Sequence, residues 1–289
     1  MRLAVFDQNR LGVVMDDHVV AVTALVGAEG AGVEGPLHAL LRAGALPAEL
    51  DTDILRSAPR RPIADVALRA PLPRPGKVVA APVNYAAHKD EMQVTQSVAE
   101  LGVFLKANSS VIGPGGSIEL PYTDVRTDHE GELAVVIGGR ARHLSADQAL
   151  DHVAGYTCLL DITVRSTEDR SIRKSFDTFT PVGPWLVTAD EIADPDDLDL
   201  RCWVNDELRQ DASTAELIFD VPTLVAYISS VMTLEPGDVV ATGTPAGVGP
   251  IVDGDLVVVE IDRVGRLAAV VTGARARPYD ERPRPSTRT

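Results

Sequence analysis

Apolar residues in the first part of the chain fall into short runs of aliphatic and β-branched side chains, a pattern typical of strands. Two residues between the second and third runs, Asp16-Asp17, predict a hairpin turn. A short helix is predicted over Pro36–Arg42, because proline is favoured in the first turn of a helix. The strands predicted here are 3–6, 11–15 and 19–22.

The rest of the chain continues this pattern, and predicted strands outnumber predicted helices. Helices are expected over 86–93, 145–151 and 221–231, the second with Ser145 as its N-cap. Strands and helices do not alternate regularly, which argues against a doubly wound nucleotide-binding fold and favours a strand-rich α+β protein. Besides two strands that carry acids, the predicted strands are 77–81, 103–106, 201–205, 239–242, 256–261 and 267–272.

The domain organisation follows from the positions of proline and arginine. The segment from Pro59 to Pro75 is rich in proline and is predicted to be a linker, so we place a domain boundary near residue 72. This gives a small N-terminal domain with its linker over 1–71 and a larger domain over 72–274. The last residues, 275–289, are rich in arginine and proline and are predicted to be disordered.

Composition narrows the class of protein. The 289 residues are 45% hydrophobic and 24% charged, which is typical of a soluble globular protein. A net charge of -15 disfavours nonspecific binding to nucleic acid or acidic membranes. Neither a signal peptide nor a membrane span is expected, and a cytoplasmic location is predicted. Cys158 and Cys202 lie in apolar runs and are expected to be buried thiols, with one disulfide as the alternative.

The most informative chemistry lies in two acid-bearing strands. Glu130 and Glu132 open an apolar run that ends at Gly138, and residues two apart in a strand share one face. Asp161 is a single charge inside the apolar run 156–164, where an unpaired carboxylate is costly. Solvated acids, or an Asp161–Arg165 pair, are the alternative. Together the three carboxylates predict a Mg²⁺ or Mn²⁺ site, and Ca²⁺ also suits oxygen ligands.

Other polar groups could serve a nearby site. His88 and Glu91 are spaced to share one helix face, where the carboxylate would orient the imidazole as a general base; a surface pair is the alternative. The segment 165–174 holds four cations, of which Arg170 and Arg173 are assigned to the solvated surface. A Gly-rich loop over 241–249 offers the Thr244 hydroxyl or backbone N–H groups as donors.

The order of these motifs is highly specific, and the chain resembles the fumarylacetoacetate hydrolase family from about Lys77 to Thr272. The small N-terminal part also looks like the leading domain common in that family. The motifs that carry the resemblance are Asn84-Tyr85 with His88 and Glu91, His129-Glu130-Gly131-Glu132-Leu133, Gly155-Tyr156-Thr157 with Asp161, Lys174-Ser175-Phe176-Asp177-Thr178-Phe179, Pro181-Val182-Gly183-Pro184-Trp185, Leu234-Glu235-Pro236-Gly237-Asp238 and Thr242-Gly243-Thr244-Pro245.

The resemblance implies a mixed β-roll catalytic domain, usually in a homodimer. It implies that Glu130, Glu132 and Asp161 bind the metal, and that His88 and Glu91 form a dyad on a lid. Two roles are implied for other residues: Lys174 in catalysis, and Arg165, Thr244 and Tyr85 in binding or polarising the substrate.

The resemblance also implies a reaction class. The expected function is metal-dependent hydrolysis of a C–C bond in a 2,4-dioxo acid of the acylpyruvate or fumarylpyruvate type. The alternatives are a decarboxylase or isomerase of an unsaturated 2-oxo diacid from aromatic catabolism, and an inactive scaffold that binds a 2-oxo acid. The presence of both His88 and Glu91 favours hydrolysis.

Two departures from the family pattern bear on the substrate. Pro82-Val83 stands where the family often has Gly-Leu, and Glu168 stands where a neutral amide is common. A carboxylate at position 168 would repel an anionic ligand unless it pairs with Arg170 or Arg173 and stays out of the pocket.

Overall fold

The computed structural model describes residues 1–47, 50 and 52–283. Strands dominate it, which confirms the strand-rich α+β class. The predicted N-terminal strands, the hairpin turn at Asp16-Asp17 and the first helix are all present. The elements of this part are β1 (Arg2–Phe6), β2 (Arg10–Met15), β3 (His18–Ala21), α1 (Pro36–Arg42), α2 (Thr52–Ser57), β4 (Arg60–Pro62) and β5 (Leu68–Arg69).

The remaining elements are mostly short strands, and the helices are few. The helices are α3 (Ala86–Glu91), α4 (Val98–Leu101), α5 (Ala146–Ala149), α6 (Arg170–Arg173) and α7 (Val221–Val231). The strands are β6 (Val78–Ala80), β7 (Phe104–Lys106), β8 (Val111–Ile112), β9 (Ser117–Glu119), β10 (Thr127–His129), β11 (Gly131–Ile137), β12 (Val153–Leu160), β13 (Thr163–Val164), β14 (Thr180–Thr188), β15 (Asp199–Val204), β16 (Glu207–Ser213), β17 (Val239–Ala241), β18 (Gly249–Pro250), β19 (Leu256–Ile261) and β20 (Gly265–Thr272).

Three sheets organise these strands. The largest has 12 strands, and its main path runs β4-β3-β2-β1-β14-β12-β11-β17-β6-β7. A five-stranded sheet follows the order β16-β15-β19-β20-β9, and a small one follows β13-β10-β18. β1 pairs antiparallel with β14, so strands from both sides of the boundary predicted near residue 72 belong to one sheet. The boundary itself stays a prediction.

The large sheet separates two apolar clusters, and β11 shows how the sequence builds both. Leu133, Val135 and Ile137 belong to a cluster that includes residues of the five-stranded sheet. Ala134 and Val136 face the opposite cluster, which includes the N-terminal strands and α1. Because successive side chains of a strand point to opposite faces, a continuous apolar run is what a strand buried on both faces requires.

The Pro-rich segment differs from its predicted role as a linker. Two parts of it form strands: β4 pairs with β3, and β5 pairs with β1. β4 ends the main path of the large sheet, and edge strands tolerate proline because one row of their backbone groups needs no ladder partner. Proline content alone therefore did not indicate these two short strands.

The C-terminal segment lies partly against the rest of the molecule. Arg277 forms a bridge with Tyr122, and residues 279–281 make one turn of 3-10 helix. The other residues of the predicted disordered tail, 284–289, lie outside the described part of the chain. Among the described residues, no helix is long and apolar enough to cross a bilayer.

Candidate active site

Three carboxylates meet where β10, β11 and β12 begin or end. Glu130 lies between β10 and β11, Glu132 is the second residue of β11, and Asp161 directly follows β12. Pairing of β11 with β12 brings the last two segments together, and the Asp161 N–H donates to the Glu130 carbonyl at 2.8 Å. All three side chains are buried, and one oxygen from each lies within 4.8 Å of the others.

Buried cations neutralise these carboxylates. Lys174 Nζ lies 2.6 Å from Glu130 Oε2 and 2.6 Å from Asp161 Oδ2. Arg165 donates to Glu130 at 3.0 Å and to Asp128 at 2.6 Å. Because removing water from a charge is costly, such groups persist in a protein interior only as a closely paired set.

A second buried lysine, which the sequence analysis missed, completes this set. Lys106 is 3% exposed, and its ammonium donates to the Asp161 carboxylate. It also donates to the backbone carbonyls of Lys174 at 2.6 Å and Phe179 at 3.2 Å. The signal was present in the sequence, since Lys106 ends an apolar strand much as Asp161 follows one.

The pKa values of Glu130 and Glu132 are shifted in opposite directions. Burial alone would raise the pKa of Glu130, but the charges of Lys174 and Arg165 outweigh it and hold that pKa below its ordinary value. Burial and the neighbouring Asp161 carboxylate raise the pKa of Glu132 well above its ordinary value, although the Gly243 N–H donates to its carboxylate at 2.8 Å. Additional positive charge beside Glu132 would therefore favour its ionised form.

This donor set fits a hard divalent cation. Carboxylate oxygens are the preferred ligands of Mg²⁺, and opposite ligands around that ion are about 4.2 Å apart, twice the usual metal–oxygen distance. The 4.8 Å spread of the three oxygens needs only a small contraction to reach that value. Cys158 and Cys202 are buried free thiols in the apolar core. Neither belongs to the group of three carboxylates, so the candidate ligands are oxygen atoms only.

The predicted dyad forms on α3. His88 is 4% exposed, and its Nδ1 lies 2.9 Å from Glu91 Oε2. The other oxygen of Glu91 accepts from the Gly247 N–H at 3.0 Å, which ties α3 to the Gly-rich loop. Because the carboxylate engages Nδ1, the imidazole is fixed in orientation and Nε2 is left available to exchange a proton.

A buried asparagine fixes the segment that leads into α3. The Asn84 amide donates to the carbonyls of Phe219 at 2.9 Å and Thr242 at 2.8 Å, and its oxygen accepts from the Phe219 N–H at 2.8 Å. Gly243 packs against it, and a Cβ there would lie 2.7 Å from the Asn84 Cβ. A glycine at position 243, with φ of 103°, is what permits this close approach.

Thr244 lies beside the carboxylates, with its hydroxyl engaged in the scaffold. The hydroxyl donates to the Gly131 carbonyl at 2.9 Å and accepts from the Gln210 amide at 2.7 Å. Since its single hydrogen is already used, the hydroxyl is not a free donor for a ligand. Of the two donors considered for this loop, backbone N–H is therefore the better one.

Tyr85, for which the family resemblance implies a role in substrate binding, is buried and is not among the residues that line the cavity with the carboxylates. Its side chain is 1% exposed and packs in the apolar cluster that contains Leu133 and Val135. Its hydroxyl has no hydrogen-bond partner among the described residues. Tyr85 directly precedes α3, and its side chain is part of the apolar core.

The carboxylates and His88 line one cavity of about 110 Å³. Phe104 forms part of its wall and lies under the Lys174 ammonium, 5.5 Å from ring centre to Nζ. Arg170 and Arg173, which the sequence analysis assigned to the solvated surface, also line it. Of the nine predicted site residues, seven line this cavity: His88, Glu130, Glu132, Asp161, Arg165, Lys174 and Thr244.

Glu168 occupies neither of the two positions considered for it. Its carboxylate accepts a hydrogen bond of 2.6 Å from the Tyr279 hydroxyl and pairs with the Arg282 guanidinium. The expected pairs with Arg170 or Arg173 are absent among the described residues, because the C-terminal segment binds Glu168 instead.

Comparison with known proteins agrees with this geometry. The family model for the C-terminal domain of fumarylacetoacetate hydrolase matches residues 77–272. A maleylpyruvate hydrolase of Aquipseudomonas alcaligenes is 43% identical over 286 residues, which cover 94% of this chain and 99% of that protein.

Solved structures give the same result. The maleylpyruvate hydrolase from Sphingobium sp. SYK-6, in complex with manganese(II) and pyruvate, superimposes with a TM-score of 0.84 at 44% identity, covering 94% of this chain and 99% of that one. The 2-hydroxyhepta-2,4-diene-1,7-dioate isomerase from Mycobacterium marinum superimposes with a TM-score of 0.74 at 35% identity, covering 95% and 99%. The chain therefore belongs to the fumarylacetoacetate hydrolase family.

Proposed function

We propose that this chain is a metal-dependent hydrolase that cleaves a C–C bond in a 2,4-dioxo acid of the acylpyruvate type. One observation carries the proposal: the buried carboxylates of Glu130, Glu132 and Asp161 line the same small cavity as the oriented imidazole of His88. The similarity to two maleylpyruvate hydrolases, one of them with manganese(II) and pyruvate bound, supports it.

The three carboxylates are the proposed ligands of Mg²⁺ or Mn²⁺, and Ca²⁺ is also compatible with oxygen donors. A cation bound there supplies Lewis-acid stabilisation of negative oxygen on the substrate. Its positive charge also meets the need indicated by the raised pKa of Glu132, which burial and Asp161 cause.

His88 is the proposed general base. The carboxylate of Glu91 holds Nδ1 as the protonated nitrogen, so Nε2 accepts a proton from a water molecule as it attacks. The cavity of about 110 Å³ is small beside ligand pockets of about 300–1,000 Å³, so α3 in this position excludes most bulk water. Arg165 and Lys174 bind and neutralise the carboxylate and oxo groups at the pyruvate end.

The reaction balances with one water molecule. The water oxygen bonds to the distal carbonyl carbon, and the bond from that carbon to the neighbouring methylene carbon breaks. The electron pair stays on the methylene carbon, which takes up the proton held by His88. The products are pyruvate and the carboxylic acid formed from the acyl group.

A decarboxylase or isomerase of an unsaturated 2-oxo diacid is the second candidate. Such reactions can use the same carboxylates without an attacking water, and the similarity to the Mycobacterium marinum isomerase over 95% of this chain favours keeping it. An inactive scaffold is the third candidate, but it has no evident need of a complete His88–Glu91 pair.

The test is turnover of acetylpyruvate and fumarylpyruvate in the presence of Mg²⁺, Mn²⁺ or EDTA. The loss of enol absorbance and the release of pyruvate are measured in the same reaction. Metal-dependent release of one pyruvate per substrate supports the hydrolase. Absorbance change without pyruvate points to isomerisation. If neither occurs, release of carbon dioxide from 2-oxo diacids decides between a decarboxylase and the scaffold.

Two broader expectations also stay proposals. A homodimer is expected from the family resemblance, and sedimentation of the purified protein tests it. A cytoplasmic location is consistent with two buried free thiols, Cys158 and Cys202, since a reducing compartment preserves unpaired cysteines.

A further inference from the structure

We propose that Gln210 is a positioning residue for the metal site. Its buried side-chain amide holds the backbone between Glu130 and Glu132 in the conformation in which both carboxylates reach one cation. The inference rests on the proposed function, because it concerns two of the ligands assigned there to the metal. It adds a residue from β16, a strand of a different sheet from β11, which no sequence motif indicated.

Gln210 is the one buried residue of β16, and it is polar. β16 ends the five-stranded sheet, and its other residues are exposed or half-buried. Removing an amide from water is costly unless hydrogen bonds within the protein replace those that are lost. A glutamine at the inward position of such a strand therefore indicates a specific set of partners.

A β-bulge directs this side chain. Opposite β15, the register of β16 shifts by one residue, and Arg209 is the residue that has no counterpart in β15. Bulges bend a strand and change the direction of neighbouring side chains. The bulge lies directly before Gln210, whose amide reaches the start of β11 in the large sheet.

Both polar ends of the Gln210 amide are engaged. Its oxygen accepts from the Gly131 N–H at 2.9 Å. Its nitrogen donates to the Thr244 hydroxyl at 2.7 Å and to the Pro245 carbonyl at 2.8 Å. A flipped amide would place donor against donor and acceptor against acceptor, so these partners fix its orientation. The amide thus joins the start of β11 to the Gly-rich loop.

The hydrogen bonds close a ring around Gly131, the residue between the two glutamates. The Thr244 hydroxyl, which accepts from Gln210, donates to the Gly131 carbonyl at 2.9 Å. Gln210 therefore holds the Gly131 N–H directly and the Gly131 carbonyl through Thr244. Because these two groups set the direction of the backbone on either side, they also set the directions of the Glu130 and Glu132 side chains.

The Gly-rich loop gives Gln210 a second connection to the carboxylates. The Gly243 N–H donates to Glu132 Oε2 at 2.8 Å, and Gln210 binds the two residues that follow Gly243. A shift of the loop would withdraw this N–H from Glu132. Gln210 is not among the residues that line the cavity, so it acts through these neighbours and touches no reacting atom.

Mn²⁺ binding tests the inference without relying on turnover. Gln210→Met keeps the length of the side chain and removes all three hydrogen bonds. Calorimetry on the EDTA-treated full chain compares its Mn²⁺ affinity with that of wild type. Thr214→Val is the matched control, because Thr214 is buried directly after β16 and its hydroxyl accepts from the Leu198 N–H at 2.9 Å, outside the cavity. Urea unfolding without metal measures the stability that each variant loses.

We expect Gln210→Met to bind Mn²⁺ about tenfold to 100-fold more weakly than wild type, as for other residues that orient metal ligands. At saturation, the EPR spectrum of its bound Mn²⁺ should differ from that of wild type, because the ligands are arranged differently. Thr214→Val should keep the wild-type affinity and spectrum while it also loses stability. Wild-type affinity in Gln210→Met overturns the inference, as does an equal loss of affinity in Thr214→Val.

Thr244→Val keeps the test decisive if Gln210→Met does not fold. It removes only the hydroxyl through which Gln210 holds the Gly131 carbonyl, and we expect the Mn²⁺ affinity to fall by about tenfold. The double variant should lose no more affinity than Gln210→Met alone, because both changes break the same ring. Wild-type affinity in Thr244→Val, or losses that multiply in the double variant, would overturn the inference.

Pyruvate release separates this inference from the proposed function. If wild type binds Mn²⁺ but releases no pyruvate from any substrate, the hydrolase proposal fails, and the Mn²⁺ affinities of the variants still decide the role of Gln210. If pyruvate release depends on metal but the variants bind Mn²⁺ as wild type does, the inference fails alone. A wild-type protein that binds no Mn²⁺ would overturn both.

Discussion

The Glu168 carboxylate accepts a hydrogen bond of 2.6 Å from the Tyr279 hydroxyl, which lies 111 residues further along the chain. Tyr279 also packs edge to face on Tyr122, with ring centres 4.9 Å apart, and Tyr122 packs on Phe176 at 5.6 Å. The C-terminal segment thus holds the loop between Arg165 and Lys174 from outside the cavity. The same contacts engage the Glu168 carboxylate, which is not among the residues that line the cavity.

Removing the Tyr279 hydroxyl tests this contact. We expect Tyr279→Phe to lower kcat/KM for fumarylpyruvate by about twofold to tenfold, because the hydroxyl positions the loop and touches no reacting atom. The measurement is steady-state pyruvate release. Tyr227→Phe is the control, since Tyr227 lies on α7 outside the cavity. Unchanged kinetics in both variants would show that the loop holds its position without the hydrogen bond from Tyr279 to Glu168.

Lys106 offers a test of the charge balance around Asp161. Lys106→Met leaves the buried Asp161 carboxylate with one cation fewer, so we expect the free energy of unfolding to fall by about 3–5 kcal/mol without metal. Added Mn²⁺ should stabilise the variant more than wild type, because it restores positive charge beside Asp161. Denaturant unfolding with and without Mn²⁺ measures both effects. An equal gain from Mn²⁺ in the two proteins would count against a cation at Asp161.

The dyad makes a separate kinetic prediction. We expect His88→Ala to slow pyruvate release by about 10²-fold to 10⁴-fold, as for a general base, while Mn²⁺ affinity stays unchanged. Glu91→Gln should cost less, because the amide oxygen still accepts from Nδ1 although the charge is lost. A His88→Ala variant with the wild-type rate would remove the histidine from the reaction.

Asp196 provides a prediction for stability against pH outside the site. Burial raises its pKa from 3.8 to about 6 in the folded protein. The folded state therefore binds this proton more tightly than the unfolded state, so the ionised carboxyl costs stability above pH 6, and that cost disappears as the pH falls to 3.8.

Asp196→Asn should remove that pH dependence and stabilise the protein at pH 7 by about 1–2 kcal/mol, after allowance for partial exposure. The asparagine oxygen can still accept from the Val221 N–H, which donates to Asp196 at 2.9 Å. Urea unfolding at pH 4.5 and pH 7 measures the effect. A variant less stable than wild type at pH 7 would contradict this account of the raised pKa.

Local patterns predicted much of the fold and the centre of the site. The helix over Val221–Val231 has the predicted bounds, and the alternation of strand residues placed Glu130 and Glu132 together. Asp161 was identified because a lone carboxylate in an apolar run needs a partner. Each of these signals lies within one short segment, where backbone geometry fixes the direction of the side chains.

Contacts between distant segments escaped prediction. β1 pairs with β14, more than 180 residues away, and no local pattern specifies that register. Arg170 and Arg173 were assigned to solvent because Glu168 stands beside them in sequence, whereas Tyr279 and Arg282 bind Glu168 in the structure. The pairing of Glu168 thus depends on residues of the C-terminal segment, which composition alone predicted to be disordered.

The central claim is that one cation held by the buried carboxylates is required for C–C hydrolysis. Mn²⁺ titration of EDTA-treated protein, with pyruvate release measured at each step, tests it in wild type, Glu132→Gln and the exposed control Glu235→Gln. We expect wild type and the control to regain activity in proportion to one bound ion per chain, and Glu132→Gln to lose both binding and turnover. Full activity after EDTA treatment, or unchanged Mn²⁺ affinity in Glu132→Gln, would contradict the account.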